Sequence, residues 1–335
     1  MRYVTIIDIA NELGISKSTV SRALSQTDHS VKRETRELIV ETARRMGYHR
    51  NDMAVNLRKQ HTKIIGISIP DASTPFFMTF THFAQMELKK RGYHTIVVEA
   101  AEDYTTEREY LHMLVQSRVD GILVSACHKD KNLDLYRDII GMGIPIVFFD
   151  RTVDGIDTSI VKMDDIIMSQ FMVENMIRGG RRKIACLSGP DYIIPATERT
   201  IGYKDAVRKF RLDVDDRYIV DAGLSVDDGA AAMERFLDTG TEFDALFCWT
   251  ETVMLGAKGV LQKRGYCIPK DVAIAASSGT LLCKSVHPAI SAVEQSLEEM
   301  ALNASRLLVN QIEFPTAPYE HLALRGQIVM RESTD

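Results

Sequence analysis

From residue 62 onward, short apolar runs alternate with longer amphipathic stretches. Continuous Ile- and Val-rich runs are typical of strands buried on both faces of a parallel sheet, and the stretches between them have the spacing of covering helices. Two series of runs predict two doubly wound α/β lobes. Because such sheets bind ligands beyond the carboxyl ends of their strands, the two lobes also predict a cleft. The predicted strands lie within 63–70, 93–100, 119–126 and 144–150, and within 183–189, 217–223, 243–249 and 271–277.

The first sixty residues show helical periodicity alone. Residues 5–13 form a short amphipathic stretch that ends at Gly14, whose freedom to adopt positive φ suits a tight turn. Ser16 is a good N-cap for a second helix, and a third helix is predicted over about 32–46, with Gly47 as its stop signal. This order predicts a helix-turn-helix unit. The side chains predicted to face its core are Ile6, Ile9, Ala10, Leu13, Val20, Leu24, Leu38, Ile39 and Ala43.

The second of these helices, in "SKSTVSRAL" (16–24), has few apolar residues. These few apolar residues pack the helix on the core and leave Lys17, Ser18 and Arg22 pointing outward. In a helix-turn-helix unit this helix lies in the major groove, where Arg and Lys bond guanine and short hydroxyls reach phosphates or bases. On these nine residues alone, an ordinary solvated helix face remains the alternative.

Charge is distributed unevenly along the chain. The formal net charge is −5, yet residues 1–63 contain twelve Lys or Arg against seven Asp or Glu and carry +5, so the remainder carries −10. A basic head on an acidic body is expected when one small domain meets a polyanion. A basic surface without a partner is the alternative.

Length and composition exclude several classes of protein. The 335 residues suit two or three domains, and 45% hydrophobic with 26% charged residues is typical of a soluble globular protein. No apolar run approaches the roughly 20 residues of a membrane span, and we find no signal-peptide pattern. We therefore expect a cytoplasmic protein with reduced thiols and neither metal nor cofactor. Catalytic motifs are also missing, so we expect no enzyme. The five cysteines are Cys127, Cys186, Cys248, Cys267 and Cys283.

The order of motifs resembles the lactose/galactose-repressor (LacI/GalR) family of bacterial transcription regulators. "VTIIDIANELGISKSTVSRALS" opens the chain, "GYHRNDMAVNLRKQ" follows, and the two lobes end in "LRGQIVMREST". A periplasmic sugar-binding protein would share the lobes without the basic head. The resemblance implies a helix-turn-helix domain over 1–48, a hinge helix over 49–61 and an effector-binding and dimerisation domain over 62–335. Within that last domain we expect an N-lobe of about 62–160 plus 292–320 and a C-lobe of about 161–291 plus 321–332.

The resemblance also implies a pseudo-palindromic double-stranded DNA operator, bound by a homodimer that is associated with the nucleoid. Leu57 matches the hinge leucine that wedges into the minor groove, where unstacking is offset by the contacts that a bent duplex permits. The family usually has Pro where this chain has Arg50, before Asn51, so hinge formation is expected to be less sharply gated. Base readout is assigned to Lys17, Ser18 and Arg22, and phosphate contacts to Thr5, Ser16, Thr19, Ser21 and Asn51.

A small-molecule effector is expected in the cleft. "IPDASTPFF" follows the first strand, "FFDR" ends the fourth, and "ERTIGYKDA" matches the family motif with a ligand-facing arginine. Carboxylates and Arg beside aromatic residues suit a polyhydroxylated sugar, or a small anion on the Arg. The effector-binding residues expected are Asp71, Ser73, Phe77, Asp150, Arg151, Arg199, Trp249, Glu251 and Ser278.

Two departures from the family pattern leave the ligand open. Thr250-Glu251 stands where the family commonly has Asn-Asp or Thr-Asp, and Ala276-Ser277-Ser278 replaces Gly-Phe-Asp. The alternatives are a different ligand, a sugar held mainly from the N-lobe and Arg199, or a cleft that no longer senses. In the last case the protein is a DNA-binding regulator that answers to a protein partner or acts constitutively. Since no leucine heptad follows the last strand before Asp335, a dimer that pairs helix 75–91 and strand edges is expected rather than a tetramer.

Overall fold

The computed structural model describes residues 4–25, 30–48, 61–212 and 215–335. The chain divides into two compact units, Met1–Thr62 and Lys63–Asp335, which we call the head and the body. In the described part of the head, three helices close on a core in which Ile9, Val20 and Ile39 are fully buried. The helix-turn-helix prediction is confirmed. The helices are α1 (Ile6–Leu13), α2 (Lys17–Ala23) and α3 (Arg33–Arg45).

The turn between α1 and α2 forms as the local sequence predicts. Gly14 adopts φ 63° and ends α1, and the Ser16 hydroxyl accepts a hydrogen bond from the Thr19 N–H at the start of α2. The inward orientation expected of Leu38 is wrong, because its side chain is 53% exposed. Ile39 and Ala43 occupy the inward stripe of α3, and Leu38 lies about 100° around the helix from Ile39.

The body contains two six-stranded sheets, one in each lobe. The N-lobe sheet has the order β11-β5-β4-β3-β1-β2 and is parallel throughout. Its strands are β1 (Ile64–Ile69), β2 (His94–Glu99), β3 (Gly121–Val124), β4 (Ile146–Phe149), β5 (Ser159–Met163) and β11 (His321–Leu324). The C-lobe sheet has the order β7-β6-β8-β9-β10-β12, with β12 alone antiparallel. Its strands are β6 (Ile184–Ser188), β7 (Ile219–Asp221), β8 (Ala245–Cys248), β9 (Ala273–Gly279), β10 (Ser291–Glu294) and β12 (Gln327–Val329).

Helices cover both faces of each sheet, as the alternating pattern predicted. Around the N-lobe sheet lie α4 (Pro75–Lys90), α5 (Tyr104–Gln116), α6 (Leu133–Gly141) and α12 (Leu297–Glu313). Around the C-lobe sheet lie α7 (Asp165–Arg178), α8 (Ile194–Lys209), α9 (Val226–Asp238), α10 (Glu251–Lys263) and the short α11 (Leu281–Ser285). The predicted architecture of two parallel-sheet lobes is therefore confirmed.

The predicted lobe boundaries are wrong in three places. β5 runs on to Met163 in the N-lobe, β10 belongs to the C-lobe sheet, and β11 (His321–Leu324) pairs with β5 in the N-lobe. The chain therefore crosses between lobes after Met163, after Glu294 and after Leu324. For β11 the reason is that an edge strand joins whichever sheet edge offers unpaired backbone groups, and the sequence pattern carries no record of that edge.

Candidate nucleic-acid interface and effector cleft

The outward face of α2 carries the side chains predicted to read bases. Lys17, Ser18 and Arg22 are all exposed, while Val20 and Ala23 on the opposite face are buried in the head core. The Arg22 Nε donates a 3.4 Å hydrogen bond to the Ser18 carbonyl one turn earlier, which lays the guanidinium along the helix. Docking by two small apolar residues thus leaves a polar, cationic face presented to solvent.

Hydroxyl groups cluster at the starts of both N-terminal helices. The Ser16 hydroxyl lies 2.8 Å from the Ser18 hydroxyl and 2.8 Å from that of Thr19. Thr5 caps α1 in a reciprocal pair with Asp8, whose carboxylate accepts from the Thr5 hydroxyl at 2.7 Å. Helix N-termini with such hydroxyls suit phosphate oxygens. Ser21 is exposed on α2, whereas Asn51 and Leu57 lie outside the described residues.

The body contains an open cavity at the carboxyl ends of strands from both lobes. It encloses about 590 Å³, solvent space included. Eight of the nine residues predicted for effector binding line it, namely Asp71, Phe77, Asp150, Arg151, Arg199, Trp249, Glu251 and Ser278. Ser73 is not among the lining residues, because it turns back to donate from its N–H and its hydroxyl to Asp71, at 2.7 and 2.9 Å.

Arg199 is held by a buried network in the C-lobe. Its Nε donates to Asp165 Oδ1 at 2.7 Å and its Nη1 donates to the Trp249 carbonyl at 2.8 Å. Both charged side chains are 4% exposed. Burial raises the pKa of Asp165, and the adjacent guanidinium opposes that rise. The pair fixes Arg199 in place, and Asp165, 34 residues away in sequence, is a positioning residue that the sequence reasoning missed.

Trp249 is both a core residue and a wall of the cavity. Its indole Nε1 donates to the Gly223 carbonyl at 3.0 Å, and the residue is buried. A Cβ on Gly189, at the end of β6, would lie 2.4 Å from the indole ring, so the ring rests directly on the backbone there. Only glycine allows this approach. The edge of this rigidly held indole that lines the cavity is suited to packing against a ligand ring.

On the N-lobe side, Arg151 forms a two-pronged ion pair with Glu102. The two Arg151 Nη nitrogens lie 2.6 and 2.9 Å from the two carboxylate oxygens, and the guanidinium lies 5.3 Å from the centre of the Phe77 ring. Glu102 follows β2 and adopts φ 59°. It is a cavity-lining residue that the sequence analysis missed, although the rule that parallel strand ends meet at one edge applies to it.

Asp150 follows β4 at φ 54° and is buried at the base of the cavity. Among the residues that the structure describes, its Oδ1 has no hydrogen-bond partner. Burial raises its pKa to about 6, an effect that Arg199 opposes and Asp165 reinforces. A buried carboxylate oxygen without a partner beside a cavity is a place where a ligand donor can bind.

The two departures from the family motifs have separate structural roles. The Glu251 carboxylate accepts from the N–H and the hydroxyl of Thr280, both at 2.7 Å. Ser278 lines the cavity, whereas the Ser277 hydroxyl lies 2.6 Å from that of Ser169 on α7, away from it. Of the two serines, only Ser278 is placed to contact a ligand. Further lining residues that the sequence analysis did not assign to effector binding are Thr74, Phe76, Pro195, Leu224, Thr250 and Thr252.

The five cysteines are unpaired in the structure. Four are buried and Cys267 is exposed. Burial, with Glu107 nearby, raises the pKa of Cys127, so this thiol is held in its neutral form. Across the described ranges, no cluster of His, Cys, Asp and Glu has the geometry of a metal site. Within the same ranges, no helix combines the length and apolarity needed to cross a bilayer.

Two family profiles match the chain. Residues 5–51 match bacterial regulatory proteins of the lacI family, and residues 62–308 match the periplasmic binding proteins and sugar binding domain of the LacI family. The chain belongs to the LacI family. This confirms the family resemblance and assigns the protein to a family of transcription regulators, not of enzymes.

Curated relatives match nearly end to end. The HTH-type transcriptional repressor PurR of Mannheimia succiniciproducens is 26% identical over 330 residues, covering 98% of each chain. The ribose operon repressor of Halalkalibacterium halodurans is 27% identical over 330 residues, covering 98% of this chain and 97% of the relative. These LacI-family relatives therefore have the same domain content as this chain.

Solved structures match over the same extent. A complex of the transcriptional regulator CelR with cellobiose superimposes with a TM-score of 0.76 at 25% identity, covering 98% of this chain and 99% of that one. The lac repressor dimer bound to operator and the anti-inducer ONPF gives a TM-score of 0.88 at 19% identity, covering 99% of both chains. The second likeness establishes the fold, which is that of the lac repressor.

Proposed function

We propose that this LacI-family protein is a sequence-specific repressor that binds a pseudo-palindromic operator as a homodimer, through the outward face of α2. The observation that carries the proposal is the exposed set of Lys17, Ser18 and Arg22 on a helix docked by Val20 and Ala23. Two copies of such a helix, one per subunit, match the two half-sites of a symmetric operator. Such a repressor acts in the cytoplasm, on nucleoid DNA.

The body is proposed to bind a small carbohydrate that controls operator affinity. Support comes from the cavity between strand ends of both lobes, lined by two arginines, several carboxylates and Trp249. A pocket with aromatic walls and few convergent polar groups is typical of small-molecule sites. The unpartnered Asp150 oxygen favours a working ligand site over a cleft that has lost sensing. Ligand binding shifts the protein between lobe arrangements that differ in operator affinity.

The test of DNA binding is selection of fragments from the host genome by purified full-length protein at low salt, followed by footprinting of the retained fragments. We expect a footprint with two-fold symmetric half-sites and an affinity that falls steeply with salt. Retention of no fragment would exclude the proposal. Sedimentation at micromolar concentration checks the dimer, and a stable tetramer would contradict it.

The hinge contact of Leu57 stays a prediction, since this residue lies outside the described ranges. An apolar wedge unstacks one base step and kinks the duplex. Leu57→Ala is therefore expected to lower operator affinity and DNA bending while dimerisation and ligand binding stay intact. A permutation assay with the operator fragment measures the bend, and an unchanged bend in the variant would exclude the wedge.

A further inference from the structure

The two arginines of the cleft already have their charge balanced by acidic partners. Arg151 is paired through both outer nitrogens with Glu102, at 2.6 and 2.9 Å. Arg199 is paired with Asp165 at 2.7 Å. The Nε of Arg199 donates to Asp165 and its Nη1 donates to the Trp249 carbonyl, so the guanidinium has further N–H groups that can donate to a ligand oxygen. Neither guanidinium therefore supplies the uncompensated positive charge that an anionic ligand needs.

Acidic side chains remain after that pairing. Asp71, Asp150 and Glu251 also line the cavity, and its lining within the described ranges includes neither Lys nor His. Asp71 has both oxygens engaged by Ser73, and Glu251 has both engaged by Thr280. Asp150 differs from them, because it is 6% exposed and its Oδ1 has no partner. The cavity thus holds surplus negative charge, concentrated on one buried oxygen.

We propose that the effector of this cleft carries a protonated amino group that binds Asp150, as in an amino sugar, and that phosphorylated or carboxylated sugars are excluded. The proposal rests on the proposed function, and names the ligand class of the same site. An ammonium group satisfies the unpartnered oxygen and the surplus charge together, whereas a neutral hydroxyl satisfies only the oxygen. A phosphate would meet Asp71, Asp150 and Glu251 with no uncompensated cation to balance it.

The pH dependence of binding follows from the charges around Asp150. The groups facing it are Arg151 beside it on the same loop, Arg199 on α8, Asp165 on α7 and Glu102 after β2. Burial and this surrounding raise the pKa of the free Asp150 to about 6. Because only the ionised form attracts an ammonium group, affinity for a cationic ligand falls by about tenfold between pH 7 and pH 5. A neutral sugar lacks that loss.

The experiment is calorimetric titration of full-length protein with matched sugars. The first set is glucosamine, glucose and glucose 6-phosphate. The second set is galactosamine, galactose and galactose 6-phosphate. The third set pairs cellobiose with the β-1,4-linked glucosamine disaccharide. For the scaffold that fits, we expect the amino member to bind about tenfold or more tightly than its parent at pH 7, with the phosphorylated member undetected. At pH 5 the advantage over the parent is expected to be about tenfold smaller than at pH 7.

Two variants separate charge from packing. Asp150→Asn keeps the shape, and Asn tolerates φ near +54°, so it is expected to reduce the amino-over-parent affinity ratio to about one. Asp157→Asn, at an exposed carboxylate outside the lining residues, is expected to leave the ratio unchanged.

Tighter binding of a neutral or phosphorylated member, or binding of no amino member, would overturn the charge assignment. So would an affinity ratio that survives Asp150→Asn. Fragment selection on the genome is independent of these titrations, so a failure of operator binding is distinguished from a failure of the ligand class.

Discussion

The outward face of α2 and the wall of the cleft both carry charged side chains, but the two sets are held in different ways. In the head, the hydrogen bond of Arg22 reaches only four residues back, to the carbonyl of Ser18. In the cleft, Arg199 is bound by Asp165, 34 residues earlier, and by the Trp249 carbonyl, 50 residues later.

The solvent environment of ion pairs also differs between the head and the cleft. The ion pair of Arg33 with Glu37 on α3 has side chains that are 91% and 64% exposed, whereas both members of the Arg199–Asp165 pair are 4% exposed. Exposed charges keep their hydration and contribute little to stability, while buried charges depend on their partners. The comparison shows that the exposed face of α2 forms from local sequence, whereas the wall of the cleft requires distant residues to meet.

The largest expected effect is on the buried pair. Asp165→Ala leaves the Arg199 guanidinium buried without its carboxylate, so we expect it to lower the free energy of unfolding by about 3–5 kcal/mol. Urea unfolding followed by fluorescence measures this in the body, because Trp249 is the single tryptophan. Glu37→Ala, at the exposed pair in the head, is expected to lower the free energy of unfolding of the head by at most about 0.5 kcal/mol. Hydrogen exchange of the α3 amides measures this loss. Equal losses of stability in the two variants would contradict the comparison between buried and exposed ion pairs.

Asp150→Asn is expected to raise the free energy of unfolding, by an amount similar in size to the loss expected from Asp165→Ala. Since the pKa of Asp150 is raised to about 6 from 3.8, its ionised form lowers native stability at pH values above that range. Asp150→Asn removes that ionisation, so the variant is expected to gain about 3 kcal/mol at pH 7. The gain should shrink as pH falls through 6 and vanish only at about pH 3, where Asp150 is protonated in both the folded and the unfolded state. Urea unfolding at several pH values checks the slope, and a gain independent of pH would contradict the assignment.

Operator affinity tests the head without involving the cleft. Arg22→Ala is expected to weaken binding by about 1–3 kcal/mol and to relax base choice at one symmetric position of each half-site. Fluorescence anisotropy with labelled operator variants measures both. Lys263→Ala, an exposed cation at the end of α10, is the matched control and should bind as wild type. An equal loss on every DNA sequence would make Arg22 a phosphate contact instead.

The smallest expected effect concerns the cap of α2. Ser16→Ala removes the oxygen that accepts from the Thr19 N–H, which is expected to destabilise the head by about 1 kcal/mol. Hydrogen exchange of the α2 amides reports it, and the fluorescence of Trp249 in the body should not change. Ser21→Ala, on the exposed face of the same helix, has no capping role and is expected to leave exchange unaltered.

Local sequence was enough to predict the head and eight of the twelve strands that the structure describes. The cap at Ser16, the left-handed turn at Gly14 and the second and third helices depend on groups within four residues of each other. The eight predicted strands were likewise found because their apolar runs are continuous, although β9 extends past its predicted end to Gly279. Family motifs then predicted eight of the residues that line the cavity.

Only the tertiary structure decided which residues complete the site and which lobe each late strand joins. The sequence has no local signal that Asp165 holds Arg199, or that Ser278 lines the cavity while Ser277 bonds α7. The same is true of β11 (His321–Leu324), which pairs with β5 rather than with a strand of the C-lobe. The physical reason is range: helices, caps and turns are decided by neighbouring residues, whereas ion pairs and sheet edges are decided by groups that meet only after the chain has folded.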